Sequence, residues 1–210
     1  MKSVLIIALL ILQVLSQNED EKIITYNCSK RSTQNSMYID LRVGNEKIEI
    51  AVGSNIPFIV ITGSECALKE ECGKSPGYDY TISPTVKKTF ISNPYSRIIY
   101  NPFIPGVNDR IFEGEDVQDL VCPNSKSLRN FCVPLTFYKI TKIVEGEKYS
   151  SNGRLGFEHN QTRDDSYVAI LKNTNKINKK YVTVHHDTNG RYFLTFGSLK
   201  MTNKFSGFKY

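Results

Sequence analysis

Ile39-Asp40-Leu41-Arg42-Val43, Gly44-Asn45-Glu46-Lys47 and Ile48-Glu49-Ile50-Ala51-Val52 decide the fold class of this chain. In the first and third stretches every second residue is apolar, and the period of two marks a strand with one buried face. The middle stretch reads as a turn, so the whole is a β-hairpin. Working outward, Phe58-Ile59-Val60-Ile61 is a short continuous apolar run, as in a strand covered on both sides. Further strands are expected at 97–100, 110–112, 134–140, 181–185 and 192–196. Asn189-Gly190 is a hairpin signal between the last two. One helix is expected, capped by Asp165 or Ser166, with Tyr167, Ile170 and Leu171 on its apolar face. The expectation is a mostly-β domain.

The 210 residues are 40% hydrophobic and 23% charged, which excludes a disordered tail and a multi-span membrane protein. Lys2, the apolar run Val4 to Leu15 broken only by Gln13, and the small residues Val14 and Ser16 read as a signal peptide over 1–16. The run is short of the ~20 residues that span a bilayer, and no later stretch qualifies. The expected protein is secreted, with a segment over 17–36 and a domain over 37–210. In an oxidising compartment the five cysteines read as disulfides. Cys66 with Cys72 and Cys122 with Cys132 are close enough in sequence to close two small loops. Cys28 is left over, for a disulfide-linked dimer or a buried free thiol. Asn27-Cys28-Ser29 and Asn160-Gln161-Thr162 are glycosylation sequons. There is no Cys-x-x-Cys, and the only histidines are His159, His185 and His186, so neither metal nor cofactor is expected. His185 and His186 are neighbours on a strand and point to opposite faces. The charge of +6 lies in short lysine pairs such as Lys87-Lys88 and Lys179-Lys180, which read as solvated turns and not as a nucleic-acid patch.

The order of landmarks resembles the amino-terminal lobe of pepsin-like aspartic proteases. A hairpin (38–52) leads to an apolar run (58–61), a small cysteine loop (66–72) and a proline turn, Ile82-Ser83-Pro84-Thr85 through Phe90. Then come Ile98-Ile99-Tyr100 where the flap strand belongs and Asn152-Gly153-Arg154-Leu155-Gly156-Phe157, similar to the family's Asp-Gly-x-Leu-Gly-aromatic segment. Leu194-Thr195-Phe196-Gly197 resembles the strand that closes the lobe. The resemblance covers about residues 36 to 210 and implies a single lobe, half of the acid-protease double-psi barrel pair. It also implies that the twenty residues from Gln17 to Ser36 are too few for the family's prosegment. They are expected to be retained, with Ile23 to Tyr26 adding an edge strand.

The catalytic motif departs from the family. Counted back from Cys66, the catalytic aspartate falls on Gly53, and Asp-Thr-Gly becomes Gly53-Ser54-Asn55; a shifted register puts Ala51 there instead. Aspartic proteases split the pKa values of two close carboxylates so that one acts as base and the other stays protonated. Neither glycine nor alanine can do this, so no catalytic residue is expected. The chain also ends where the family's first lobe ends, which leaves the second aspartate unsupplied. Tyr100 and Phe103 are the flap and cleft candidates, followed by Pro105, where the family has a glycine-rich flap. The alternative is an ordinary surface loop. Three functions follow: a non-catalytic lobe binding an unknown peptide or protein, an aspartic endopeptidase completed by a lobe or catalytic carboxylate from elsewhere, or a structural secreted domain or truncated gene product.

Overall fold

The computed structural model describes residues 22–30, 37–53, 58–69, 72, 76–99, 110–124, 130–146, 151–157 and 166–197. Residues 1–16, read from the sequence as a signal peptide, and most of the segment 17–36 lie outside them. The protein is mostly β. Its strands are β1 (Ile24–Lys30), β2 (Met37–Val43), β3 (Glu46–Gly53), β4 (Ile59–Thr62), β5 (Tyr95–Ile99), β6 (Arg110–Pro123), β7 (Val133–Glu145), β8 (Gly153–Gly156), β9 (Val182–His186) and β10 (Tyr192–Phe196). Among the described residues there are also a 3-10 turn at Lys88–Phe90 and two α-helices, α1 (Ser64–Ala67) and α2 (Tyr167–Asn173). Neither is long and apolar enough to cross a membrane.

The expected hairpin forms, with Ile39 opposite Ile50 and Leu41 opposite Ile48. Its turn is tighter than expected. Only Gly44 and Asn45 leave the ladder, and Gly44 takes φ 57°, a conformation glycine adopts without strain. Six strands then close on themselves in the order β2–β3–β8–β4–β7–β6, because β6 returns to pair with β2 through Leu41↔Pro123 and Val43↔Val121. Closure removes the edges that six such strands would otherwise expose. The buried core runs through Ile39, Leu41, Ile48, Ile50, Val117, Leu135 and Leu155.

β1 carries the chain away from this barrel. It pairs with β2 through Ser29 and Lys30, and with β10 through Ile24 to Cys28. Among the described residues Ile24 to Cys28 pair with β10 alone, so this part of β1 is one edge of the small β1–β10–β9 sheet and β9 is the other, while Ser29 and Lys30 cross to the barrel. Tyr26 ties the small β1–β10–β9 sheet to α2, with its hydroxyl 2.7 Å from that of Tyr167 and its ring edge-on to Phe196. The Ser166 hydroxyl caps α2 by accepting from the Ala169 amide at 3.3 Å.

Three expectations need correction. A second helix exists: α1 is a single turn with no apolar period to betray it, held by Cys66 and Ala67 amides donating to the Gly63 carbonyl and by the Cys66–Cys72 disulfide. β6 and β7 run to 14 and 13 residues, far beyond the stretches expected at 110–112 and 134–140. The period of two is hidden in β6 by register shifts at Ile111/Phe112 and Glu113/Gly114, and by the inward-facing polar residue Asp119.

Candidate functional site

β8 is wedged between β3 and β4. It runs parallel to β3, pairing Ala51 with Arg154, Val52 with Leu155 and Gly53 with Gly156. It runs antiparallel to β4, pairing Val60 with Arg154 and Ile61 with Gly153. The Gly156 amide donates to the Phe58 carbonyl at 3.2 Å. Gly53, Gly156 and the start of β4 thus meet at one end of the wedge. The space a side chain would need at Gly53 belongs to Arg154. A Cβ there would lie 2.3 Å from the Arg154 Nε and 2.8 Å from its Nη2. Either candidate register, Gly53 or Ala51, therefore has no carboxylate and has an arginine as its neighbour on β8.

Beyond Phe58 the surface is aromatic and cationic. The Arg97 guanidinium lies 4.3 Å from the Phe58 ring centroid and 4.8 Å from that of Tyr138. It donates to the Tyr95 hydroxyl and sits 3.7 Å from Asp116. Tyr95 in turn donates to Asp116 at 2.9 Å. Burial, joined by the nearby Tyr95, pushes the Tyr138 phenol far up, so it stays protonated and donates to the Tyr95 carbonyl at 2.6 Å. A guanidinium over aromatic rings gains roughly 0.5–2 kcal/mol per contact. Arg97 therefore braces β5 against the start of β4.

Sequence reasoning missed two buried polar clusters. In one, the Lys139 ammonium lies 2.6 Å from Glu65 and 3.1 Å from Glu115, under the Tyr80 ring. Burial pulls its pKa down, but the two carboxylates outweigh that and hold it above the ordinary lysine value. The signal is the β6–β7 register, which sets Glu115 opposite Lys139, and register cannot be read from composition. In the other, Asp119 accepts from Tyr78 and Ser83, each at 2.6 Å, from Thr85, and from the Leu120 amide. Ser83 and Thr85 belong to the proline turn and Tyr78 to the segment that leads into it, so Asp119 fastens that excursion to the barrel.

Two further carboxylates near the barrel, Asp40 and Asp79, are engaged structurally. Asp40 pairs with Lys47 across the hairpin at 2.8 Å, and Asp79 accepts from the Thr81 amide and hydroxyl. The disulfides Cys66–Cys72 and Cys122–Cys132 are both formed. Cys28 is a half-buried free thiol, pushed up to about 11 by burial. Asn27 is exposed on β1. Tyr100, Phe103, Asn160 and the loop 54–57 lie outside the described residues. No protein-family model matches the chain, and no curated protein matches it.

His185 and His186 do point apart. His185 stacks on Phe193 and shares a 3.1 Å hydrogen bond with Thr195, whereas His186 lies against Tyr192. Burial, aided by His186, lowers the His185 pKa. The folded state thus disfavours its protonation. The stabilising effect is complete above the unfolded value of about 6.5 and is lost as pH falls through the lower folded value. Denaturation midpoints should fall between about pH 7 and about pH 5, and His185→Gln should flatten that slope. Urea titrations across the range measure it.

Proposed function

We propose that this chain is a secreted, non-catalytic aspartic-protease-like lobe that binds a peptide or protein segment at the Gly53 end of the β3–β8–β4 wedge. The observation that carries the reading is the wedge itself. A strand from late in the chain lies parallel to β3 and antiparallel to β4, and pairs Gly53 with Gly156. That interleaving is compatible with the double-psi arrangement implied by the sequence resemblance, which by its own count assigns the carboxylate position to Gly53. Arg154 against Gly53 supports the non-catalytic part, since a guanidinium beside a carboxylate would hold its pKa low and deny it the shared proton that the chemistry needs. The two disulfides fit an oxidising compartment. Phe58 and the Arg97–Tyr95–Asp116 group beside the wedge offer apolar area, charge and hydrogen-bonding groups to an extended ligand.

The test is hydrolysis of an unfolded protein from acid to neutral pH, with and without pepstatin. The expected result is no inhibitor-sensitive cleavage, since loss of a central catalytic group removes roughly 10⁴–10⁶ in rate. The variant Gly53→Asp should stay equally inactive. Its carboxylate would displace the Arg154 guanidinium and pair with it. Cleavage that copurifies with the protein and is abolished by pepstatin would overturn the proposal.

A further inference from the structure

We infer that Asn27 carries an N-linked glycan whose first sugar lies over the Phe193 ring, on the outer face of the β1–β10–β9 sheet. β1 presents Asn27 and Ser29 of the sequon on one exposed face, while the intervening Cys28 turns toward the core. Both groups that a glycosyl transferase must address, the carboxamide and the hydroxyl two residues on, therefore remain compatible with the folded strand.

The register then supplies a seat for the sugar. Asn27 stands directly opposite Phe193 on β10, and Phe193 directly opposite His185 on β9. Opposed side chains on one sheet face have Cβ atoms roughly 4.5–5.5 Å apart. A pyranose on the Asn27 nitrogen is thus within reach of the Phe193 ring. That ring is half-buried, and His185 backs it in a parallel stack, 5.2 Å between centroids with planes 18° apart. An aromatic face carries negative charge, and the C–H bonds on one face of a sugar ring are its natural partner. Thr25 and Thr195, hydrogen-bonded across the same face at 3.0 Å, flank the seat with hydroxyls.

The donor is an oligosaccharide on a lipid diphosphate, available in the same oxidising compartment that the disulfides fit. The Asn27 carboxamide nitrogen attacks C1 of the terminal N-acetylglucosamine. The C1–O bond to the diphosphate breaks, the N–C1 bond forms, the lipid diphosphate leaves, and the amide gives up one proton. The inference shares with the proposed function only the secretory route and does not depend on peptide binding.

The experiment uses the full chain, secreted from a eukaryotic host. Peptide mass mapping should find the Asn27 peptide heavier by a glycan, and Ser29→Ala should remove that mass. An unmodified Asn27 on secreted protein would overturn the inference while leaving the peptide-binding reading untouched. Ser29→Ala should also lower the thermal midpoint, and this difference should vanish in a Phe193→Leu background, which keeps an apolar side chain but no ring face. An equal drop in both backgrounds would overturn the seat on Phe193. Should Phe193→Leu not be secreted, nuclear Overhauser contacts between the first sugar and the Phe193 ring decide the matter in the wild-type glycoprotein. Their absence would overturn it equally.

Discussion

Gly153→Ala should leave little folded protein. Gly153 adopts φ 148°, which side chains rarely accept, and an added Cβ would lie 2.0 Å from the Val60 carbonyl oxygen and 2.9 Å from the Ile61 Cα. Those atoms belong to β4, held in the barrel by β7 and unable to retreat without opening it. Relief would require β8 to leave the slot between β3 and β4. Losses above about 4 kcal/mol are rare and come from faults of this kind. A domain with roughly 5–15 kcal/mol to lose would be mostly unfolded or aggregated. Gly190→Ala is the control. It also sits at positive φ, 74°, but has nothing within 4 Å of the added Cβ. Its cost should be only the conformational one, about 1–2 kcal/mol. Urea denaturation of the two variants side by side measures the contrast, and similar midpoints would contradict the role given to the wedge.

Asp119→Ala should come next in severity, costing about 3–5 kcal/mol. The side chain is 1% exposed and accepts from three hydroxyls and an amide. Its removal strands the Tyr78 hydroxyl, whose residue is fully buried with its ring edge-on to Phe137. Ser83 and Thr85 lose the same anchor, so the proline turn should loosen together with the core beneath it. Tyr78→Phe is the milder partner. It leaves Asp119 its other three donors and should cost about 1–2 kcal/mol. Denaturation midpoints rank the two, and limited proteolysis should cut first within the turn around Pro84 in Asp119→Ala. Equal costs for the two variants would contradict the hub role.

These two sites mark the limit of what the sequence discloses. The hairpin over 38–52, the strand at 192–196 and the Ser166 cap follow from local chemistry, and local chemistry is what a sequence displays directly. Gly153 looked like part of a degenerate motif, and only the pairing of Ile61 with Gly153 shows why a glycine is needed. Asp119 in the run Val117-Gln118-Asp119-Leu120 looks like the solvent face of a strand. It is buried because Tyr78, Ser83 and Thr85, more than thirty residues earlier, fold back onto it. The assignment of Gly53 to an aspartate position rests on the resemblance alone. Arg154 lies in the separate segment Asn152 to Phe157, and its place against Gly53 depends on a parallel pairing between strands a hundred residues apart. Cys28 shows the same limit in another form. That it is left over from two intrachain pairs could be counted from the sequence, but its half-burial, and the raised thiol pKa that follows, could not.

The central claim is that the Gly53 end of the wedge binds an extended peptide without cutting it. Backbone amide chemical shifts of the secreted protein, recorded by nuclear magnetic resonance during titration with a mixture of unstructured peptides, test it most directly. The account predicts saturable shifts concentrated at Gly53, Phe58, Arg154 and Gly156, and peptides recovered intact at the end. Shifts confined to other surfaces, no saturable shifts at all, or peptides recovered as fragments in a pepstatin-sensitive manner would contradict it.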